Sequence, residues 1–320
     1  MIPADIEAVV AGRRDAADGV VELTLAAANG GPLPAWSPGA HIDLRLADGL
    51  VRQYSLCGDP AETGHWRIAV LRERAGRGGS VYVHEQLACG TALAVSAPRN
   101  NFELLPASRY LFVAGGIGIT PLLPMIARAE AAGTPWTLLY GGRTRASMAY
   151  ADELARYGCD GEGEKVLLRP QDEYGLLDLA GRLGEVRPGA LIYACGPEPM
   201  LEAVAKAAAH WPSDSVRYER FTPVDAGEPV RADTFEVVLA RSGLTVSVPP
   251  GCSILEAVEK AGVDAFYSCR EGTCGTCETD VLDGEPEHRD SLLNEEERAS
   301  NESMFICVSR SLGPRLTLNL

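Results

Sequence analysis

The sequence predicts a multidomain chain: an antiparallel β-barrel or sandwich, then an α/β domain on a parallel sheet, then a small cysteine-bearing module. Three observations predict it. Short strands punctuated by Gly and Pro fill the first hundred residues; strands alternate with helices from about Pro106; and three of the nine cysteines fall within residues 269–277. Strands in quick succession suit a sandwich or closed barrel, whereas strand–helix alternation suits a parallel sheet covered on both faces. A length of 320 residues accommodates two or three such domains.

Residues 42–46 (Ile-Asp-Leu-Arg-Leu) alternate apolar and polar, Asp48-Gly49 marks a hairpin turn, and residues 50–56 form the returning strand. Residues 66–71 and 92–95 are further strands, and residues 81–87 a short helix. In the second part, residues 110–114, 136–140, 165–169, 190–194 and 216–221 are short apolar strands, while 122–132 and 200–209 read as helices. Residues 222–233, with Pro223, Gly227 and Pro229, have linker composition. Strands 235–239 and 244–248 then flank Arg241-Ser242-Gly243 as a hairpin, helix 254–261 ends at Gly262, and strands 305–308 and 316–320 close the chain. The domain limits that follow are 1–104, 105–226 and 233–320, with 227–232 as linker.

Hydrophobic residues make up 46% and charged residues 23%, an ordinary globular balance. The net charge of −15 argues against nucleic acid as a partner, which demands a surplus of Lys and Arg. No apolar run is long enough to span a bilayer, and the N-terminus lacks the basic and apolar regions of a signal peptide, so the expected location is the cytoplasm, without membrane attachment. From Asp233 onward 16 acidic residues face 7 basic ones, a net −9; the preceding 232 residues carry −6. The last module is therefore densest in negative charge and suits a basic protein partner. Glu295-Glu296-Glu297 by themselves read as a solvated helix face.

The strongest chemical signal is Cys269-x4-Cys274-x2-Cys277 followed by Cys307, the plant-type [2Fe–2S] spacing. Four thiolates must surround a small dianionic cluster. Gly272 and Gly275 let backbone pass close to its sulfides and offer N–H donors, and Cys307 arrives on a strand from the other side. A zinc site is the alternative, but zinc sites usually show two paired C-x2-C units and only one is present. Cys57, Cys89, Cys159 and Cys252 lack any such grouping and read as small buried residues or surface thiols.

An iron–sulfur centre accepts single electrons, nicotinamide delivers a hydride, and flavins mediate between the two. Gly115-Gly116-x-Gly118-x-Thr120-Pro121, between a strand and a helix, is a candidate nucleotide-phosphate turn, and Cys195-Gly196-Pro197 puts a thiol at the C-terminal end of another strand, where α/β sheets bind ligands. Both also read as ordinary strand-to-helix turns. Arg52 and Tyr54 share one face of a strand, a guanidinium for a phosphate and a ring for an isoalloxazine. Gly78, Gly79 and Ser80, opening a helix, could donate to the same phosphate; the alternatives are an exposed strand face and a surface loop. None of the five histidines is needed for hydride transfer.

Taken in order, these residues resemble the phthalate dioxygenase reductase family, which includes vanillate O-demethylase reductases. The resemblance is carried by Arg-Gln-Tyr-Ser-Leu (52–56), Gly-Gly-Ser (78–80), Pro-Arg-Asn-Asn-Phe (98–102), Gly-Gly-Ile-Gly-Ile-Thr-Pro (115–121), Tyr-Gly-Gly-Arg (140–143), Cys-Gly-Pro (195–197) and the four cysteines, over nearly the whole chain. It implies an FMN-binding antiparallel barrel, an NAD-binding α/β domain and a C-terminal β-grasp ferredoxin domain. Arg52, Gln53, Tyr54 and Ser55 would lie at the flavin, Gly78, Gly79 and Ser80 at its phosphate, and Ala69 and Val70 would offer backbone to the ring edge. Gly115, Gly116, Gly118 and Cys195 would line the dinucleotide site, with Thr120 between flavin and nicotinamide and Phe221 a further aromatic near the flavin. Cys195 and Thr120 would border the hydride-transfer centre. Cys269, Cys274, Cys277 and Cys307 would ligate the cluster. The implied activity is an NADH-dependent reductase, needing no acid–base side chain for hydride transfer itself, that feeds a Rieske-type terminal oxygenase docking on the acidic ferredoxin domain, as a monomer. FMN and NADH are read from the resemblance; relatives with the same domain order carry FAD, and Arg143 and Arg145 stand where a 2′-phosphate could be read.

Overall fold

A computed structural model of the chain describes residues 5–73, 76–158 and 165–320. They divide into two compact units, residues 5–220 and 221–320.

The first unit opens with β1 (Ile6–Ala17) and β2 (Val20–Ala27), a long hairpin turning at Gly19, whose φ is +72°. Sequence patterning missed it for a physical reason. Register shifts at Val10/Gly12 and Asp15/Ala17 break the alternation of faces along β1, and with it the period-2 cue of a half-buried strand. β3 (His41–Arg45), β4 (Val51–Ser55), β5 (Trp66–Leu71) and, after helix α1 (Gly79–Gln86), β6 (Ala92–Val95) complete a sheet in the order β4-β3-β6-β1-β2-β5. A Leu56–Ile68 bridge, with Cys57 N–H donating to the Arg67 carbonyl at 2.8 Å, joins the two end strands and closes the barrel. The β3–β4 connection is a tight helical turn over Ala47–Gly49 rather than a two-residue Asp-Gly turn. Trp66, Leu23, Leu25, Ile42, Leu44 and Ile68 fill the interior. Arg13 on β1 holds the end of α1, donating to the carbonyls of His84 and Leu87, each at 2.8 Å.

β7 (Arg109–Gly115), α2 (Leu122–Ala131), β8 (Trp136–Gly142), α3 (Ala151–Ala155), β9 (Val166–Pro170), α4 (Gln171–Tyr174), α5 (Leu179–Leu183), β10 (Ala190–Cys195), α6 (Glu198–Ala207) and β11 (Val216–Glu219) follow. The strands form a parallel sheet in the order β11-β10-β7-β8-β9. The chain enters at the central strand, builds outward through β8 and β9, then crosses to β10 on the other side. That places a topological switch point between the C-terminal ends of β7 and β10, where such sheets bind ligands. The last strand ends at Glu219, not at Phe221 as its apolar run suggests; Phe221 is 44% exposed and begins the second unit.

Barrel and parallel sheet share a core: Val20, Cys57, Ala69 and Phe102 pack in one cluster with Phe112, Ile119, Met125, Tyr140 and Tyr193. Beside it lies a polar seam. Glu22 is buried, receives two 2.7 Å bonds from Arg14 and one of 2.8 Å from the Tyr150 hydroxyl, and has Arg67 at 3.7 Å. Burying that carboxylate is tolerable because it is fully paired.

The second unit holds β12 (Phe235–Leu239), β13 (Leu244–Val248), α7 (Ile254–Lys260), β14 (Glu278–Asp283), β15 (Pro286–Glu287), α8 (Glu295–Ser300), β16 (Ser303–Phe305), β17 (Arg310–Ser311) and β18 (Arg315–Leu318). Its main sheet runs β13-β12-β18-β14-β16, with β12 and β18 parallel and the other pairs antiparallel, and α7 packs Ile254, Leu255 and Val258 into the core. This is the β-grasp arrangement. Ser253 and Glu256 form a capping box at the start of α7, and Gly262, with φ of +76°, ends it. Among the described residues no helix is long and apolar enough to cross a membrane.

Candidate functional site

The switch point is built from glycine. A Cβ on Gly115 would lie 2.7 Å from Met200 Sδ and from Pro197 Cδ, and one on Gly118 would run into the Cys195 carbonyl. The turns after β7 and β10 therefore meet backbone to backbone, an approach only glycine permits. Gly116, with φ of +54°, has nothing within 4 Å of its Cβ position, so space opens above the turn. Its carbonyl accepts from the buried Tyr140 hydroxyl at 3.1 Å. Thr120 is buried, and its hydroxyl donates to the Ile117 carbonyl at 3.0 Å, fixing the turn.

Cys195 ends β10 fully buried, paired in register with Ala114 on one side and Glu219 on the other. Burial, and then the neighbouring Glu219, push its thiol well above the ordinary range, so it is a neutral thiol rather than a thiolate nucleophile. Glu219 is the residue that sequence reasoning passed over. Its carboxyl is pushed up to about 8 by burial, against the opposing effect of the Ser55 hydroxyl, which donates to Oε2 at 3.3 Å. A lone Glu at the end of a short strand carries no motif. Its only cue is its place, one strand from Cys195 at the ligand-binding edge.

On the barrel, the Arg52 stem lies across the start of α1: a Cβ on Gly79 would be 2.5 Å from Arg52 Cγ. The guanidinium donates to the Val51 carbonyl at 2.7 Å and the Arg77 carbonyl at 2.9 Å. Gly78, with φ of +82°, leads into α1. The Ser80 hydroxyl accepts from Glu73 N–H at 3.0 Å, which ties the loop to the helix. Tyr54 is half-buried beside Arg52, and burial pushes its phenol up to about 12. Gln53 lies on the same strand. Ala69 and Val70 are buried on β5, and the Val70 carbonyl is engaged by His84 Nε2 at 2.8 Å. Through Ser55 and Glu219 the structure thus joins the Arg52–Ser55 strand to the switch point. Phe221 belongs to the other compact unit.

In the second unit Cys274, Cys277 and Cys307 are buried and Cys269 partly so. Cys307 sits in a turn, not on a strand: the Phe305 carbonyl accepts from the N–H groups of Val308 and Ser309 at 3.2 and 3.0 Å, curling the chain after β16. The thiols are neighbours in pairs. Hydrogen bonds from Cys274 and Cys307, with help from Thr273, hold the Cys269 thiol far below the ordinary range. The same contacts push Cys274 up, chiefly through Cys269, and Cys307 up, through Cys269 and Cys277. Four thiolates so crowded cannot all ionise unaided; a positive centre among them is what the donor set calls for. Among the described residues, no three His, Cys, Asp or Glu side chains group around a single ion position. Glu271 N–H donates to Cys269 Sγ at 3.2 Å, the kind of backbone donor an iron–sulfur site uses. Gly272 and Gly275 have φ of +70° and +76°, and a Cβ on Gly272 would lie 2.6 Å from Val308 Cγ2. These residues fit a [2Fe–2S] cluster. Of the other cysteines, Cys57 and Cys252 are buried and Cys89 is exposed, while Cys159 lies outside the described residues.

Comparison with known proteins agrees with this geometry. Residues 237–312 match a 2Fe-2S iron-sulfur cluster binding domain, and residues 112–206 an oxidoreductase NAD-binding domain. The chain is 44% identical over 321 residues, 99% of each chain, to a toluene-4-sulfonate monooxygenase system reductase subunit of Comamonas testosteroni. It superposes with a TM-score of 0.90 and 44% identity on part of an intact type IV self-sufficient cytochrome P450 monooxygenase, covering 99% of this chain but 41% of that longer one. Phthalate dioxygenase reductase, described as a modular structure for electron transfer from pyridine nucleotides to [2Fe-2S], matches with a TM-score of 0.70 and 33% identity over 99% of this chain and 98% of that one. With nearly the whole of both chains covered at 33% identity, and with an NAD-binding and a 2Fe-2S domain matched in this one, this oxidoreductase belongs to the phthalate dioxygenase reductase-like family.

Proposed function

We propose that the chain is the NADH-dependent reductase of a multicomponent oxygenase system, with FMN in the barrel and a Rieske-type oxygenase as electron acceptor. The observation that carries the reading is the cysteine quartet folded beside its own backbone donors, in a chain that also supplies a nucleotide crevice. Nicotinamide would supply a hydride, FMN the two-to-one electron conversion, and the cluster one-electron transfer. The chain's own contribution is placement. Arg52 and the first N–H groups of α1, at Gly79 and Ser80, would hold the flavin phosphate; Tyr54 would pack on the ring, and Ala69 and Val70 would border its edge. Gly115, Gly116 and Gly118 would let the dinucleotide approach the turn, with Thr120 and Cys195 bordering the nicotinamide. Glu219 would hold a proton beside Ser55 at neutral pH. In this reading residues 1–104, 105–226 and 233–320 are the flavin, nicotinamide and ferredoxin modules, and Phe221 would be a further aromatic of the flavin site, as the resemblance implies.

The partner would be basic where it docks. The net −9 of the ferredoxin part favours steering toward such a patch. The test is anaerobic purification followed by flavin, iron and acid-labile sulfide analysis, then NADH titration of the visible spectrum. The expected result is FMN, two irons, two sulfides and bleaching by NADH. A protein without iron refutes the relay, and FAD in place of FMN refutes the flavin assignment. Oxygenase reduction should slow as ionic strength rises; a flat profile refutes the steering.

A further inference from the structure

Asp290 is 1% exposed in a region that the proposed relay leaves without a role. We propose that it is a positioning residue of the cluster: its buried carboxylate, with Arg298 as counter-charge, holds the ligand loop and keeps the cluster's reduction potential low. The inference rests on the [2Fe–2S] reading.

The segment around Asp290 is wedged between the two halves of the ligand set. Ser291 N–H donates to the Gly272 carbonyl at 3.0 Å, inside the Cys269–Cys274 stretch, and a Cβ on Gly272 would lie 3.1 Å from Asp290 Cα. Arg289 N–H donates to the Ser309 hydroxyl at 3.2 Å, two residues beyond Cys307. The carboxylate is divided in its duties. Oδ2 accepts from the N–H groups of Leu292 and Leu293 at 2.9 and 2.8 Å, and Arg298 approaches it at 3.7 Å. Arg298 also donates to the Asp290 carbonyl at 2.6 Å and the Leu293 carbonyl at 3.0 Å. Oδ1 is buried and has no hydrogen-bond partner among the described residues.

A loop needs only Oδ2 to make its turn, and an asparagine would make the same turn without the cost of a buried charge. What the second oxygen adds is a charge, poorly screened, in the shell around the ligand loop. Reduction adds one electron to an already anionic centre. A fixed negative charge nearby disfavours that step, while Arg298, 37% exposed, offsets it only in part. The two side chains therefore pull the potential in opposite directions, which a purely structural role does not predict.

The experiment is a dye-mediated anaerobic redox titration of the full chain, followed by the electron paramagnetic resonance signal of the reduced cluster. Asp290→Asn keeps an oxygen for the two N–H groups. Its expected effect is a roughly tenfold shift of the one-electron equilibrium toward the reduced cluster, about 59 mV. Arg298→Leu should shift it the other way, and Arg298→Lys should return it toward wild type. If Asp290→Asn loses iron, the two Arg298 variants decide alone. Shifts of the same sign in Asp290→Asn and Arg298→Leu, or no shift in the Arg298 pair, overturn the inference. A wild-type protein without the cluster signal overturns the cluster reading itself, and a normal signal with unmoved potentials overturns only the role of Asp290.

Discussion

Glu219 offers a quantitative test of the switch-point geometry. Its carboxyl sits at about 8, pushed up by burial, against an ordinary value of 4.5. Below pH 4.5 the folded and unfolded chains both carry the proton, and burial costs nothing. Between 4.5 and 8 the unfolded chain releases it and the folded chain does not, so stability falls as pH rises. At about 1.4 kcal/mol per pH unit the loss across that window is about 5 kcal/mol. For a unit of some 200 residues this corresponds to roughly 10–20 °C in melting temperature. Glu219→Gln removes the titration and keeps the shape, so it should abolish this component of the pH dependence. Calorimetric melts of nucleotide-free wild type and variant from pH 5 to 8.5 measure it: the curves should diverge as pH rises, the variant becoming the more stable. Parallel curves would refute the claim that Glu219 holds its proton beside Ser55 in the folded chain.

Two further outcomes follow from close approaches. Arg52→Ala removes the stem that covers Gly79 and the guanidinium held at the start of α1, so the purified protein should have a lowered flavin-to-protein ratio; full flavin content would exclude Arg52 from the phosphate site. Gly118→Ala drives a methyl group into the Cys195 carbonyl, which should cost about 1–3 kcal/mol of stability and slow flavin reduction by NADH in stopped flow; an unchanged melt and rate would show that the two turns do not meet as described.

Much of the fold was legible because its signals are local. Strands at 66–71, 92–95, 235–239 and 244–248 coincide with the observed β5, β6, β12 and β13, where alternation or a short apolar run is uninterrupted. The β1–β2 hairpin was not legible, because its bulges break the period. Cys307 was expected on a strand and lies in a turn, since the curl depends on one carbonyl, that of Phe305, receiving two N–H groups. The cysteine spacing was readable because three ligands come from one loop. Glu219, Asp290 and the Glu22–Tyr150 seam were not, because each draws its meaning from partners distant in sequence: Ser55 is 164 residues from Glu219, and Tyr150 is 128 from Glu22.

The Glu22 seam bears on how such reductases can be recombined. Arg14 and Glu22 come from the barrel hairpin, Arg67 from β5 and Tyr150 from the start of α3, and they lie against a core to which both sheets contribute. Grafting the nucleotide sheet of one relative onto the barrel of another would strand a carboxylate in the interior unless all four residues travel together. The natural place to cut is near Phe221, where a chimera would inherit the Glu22 seam whole.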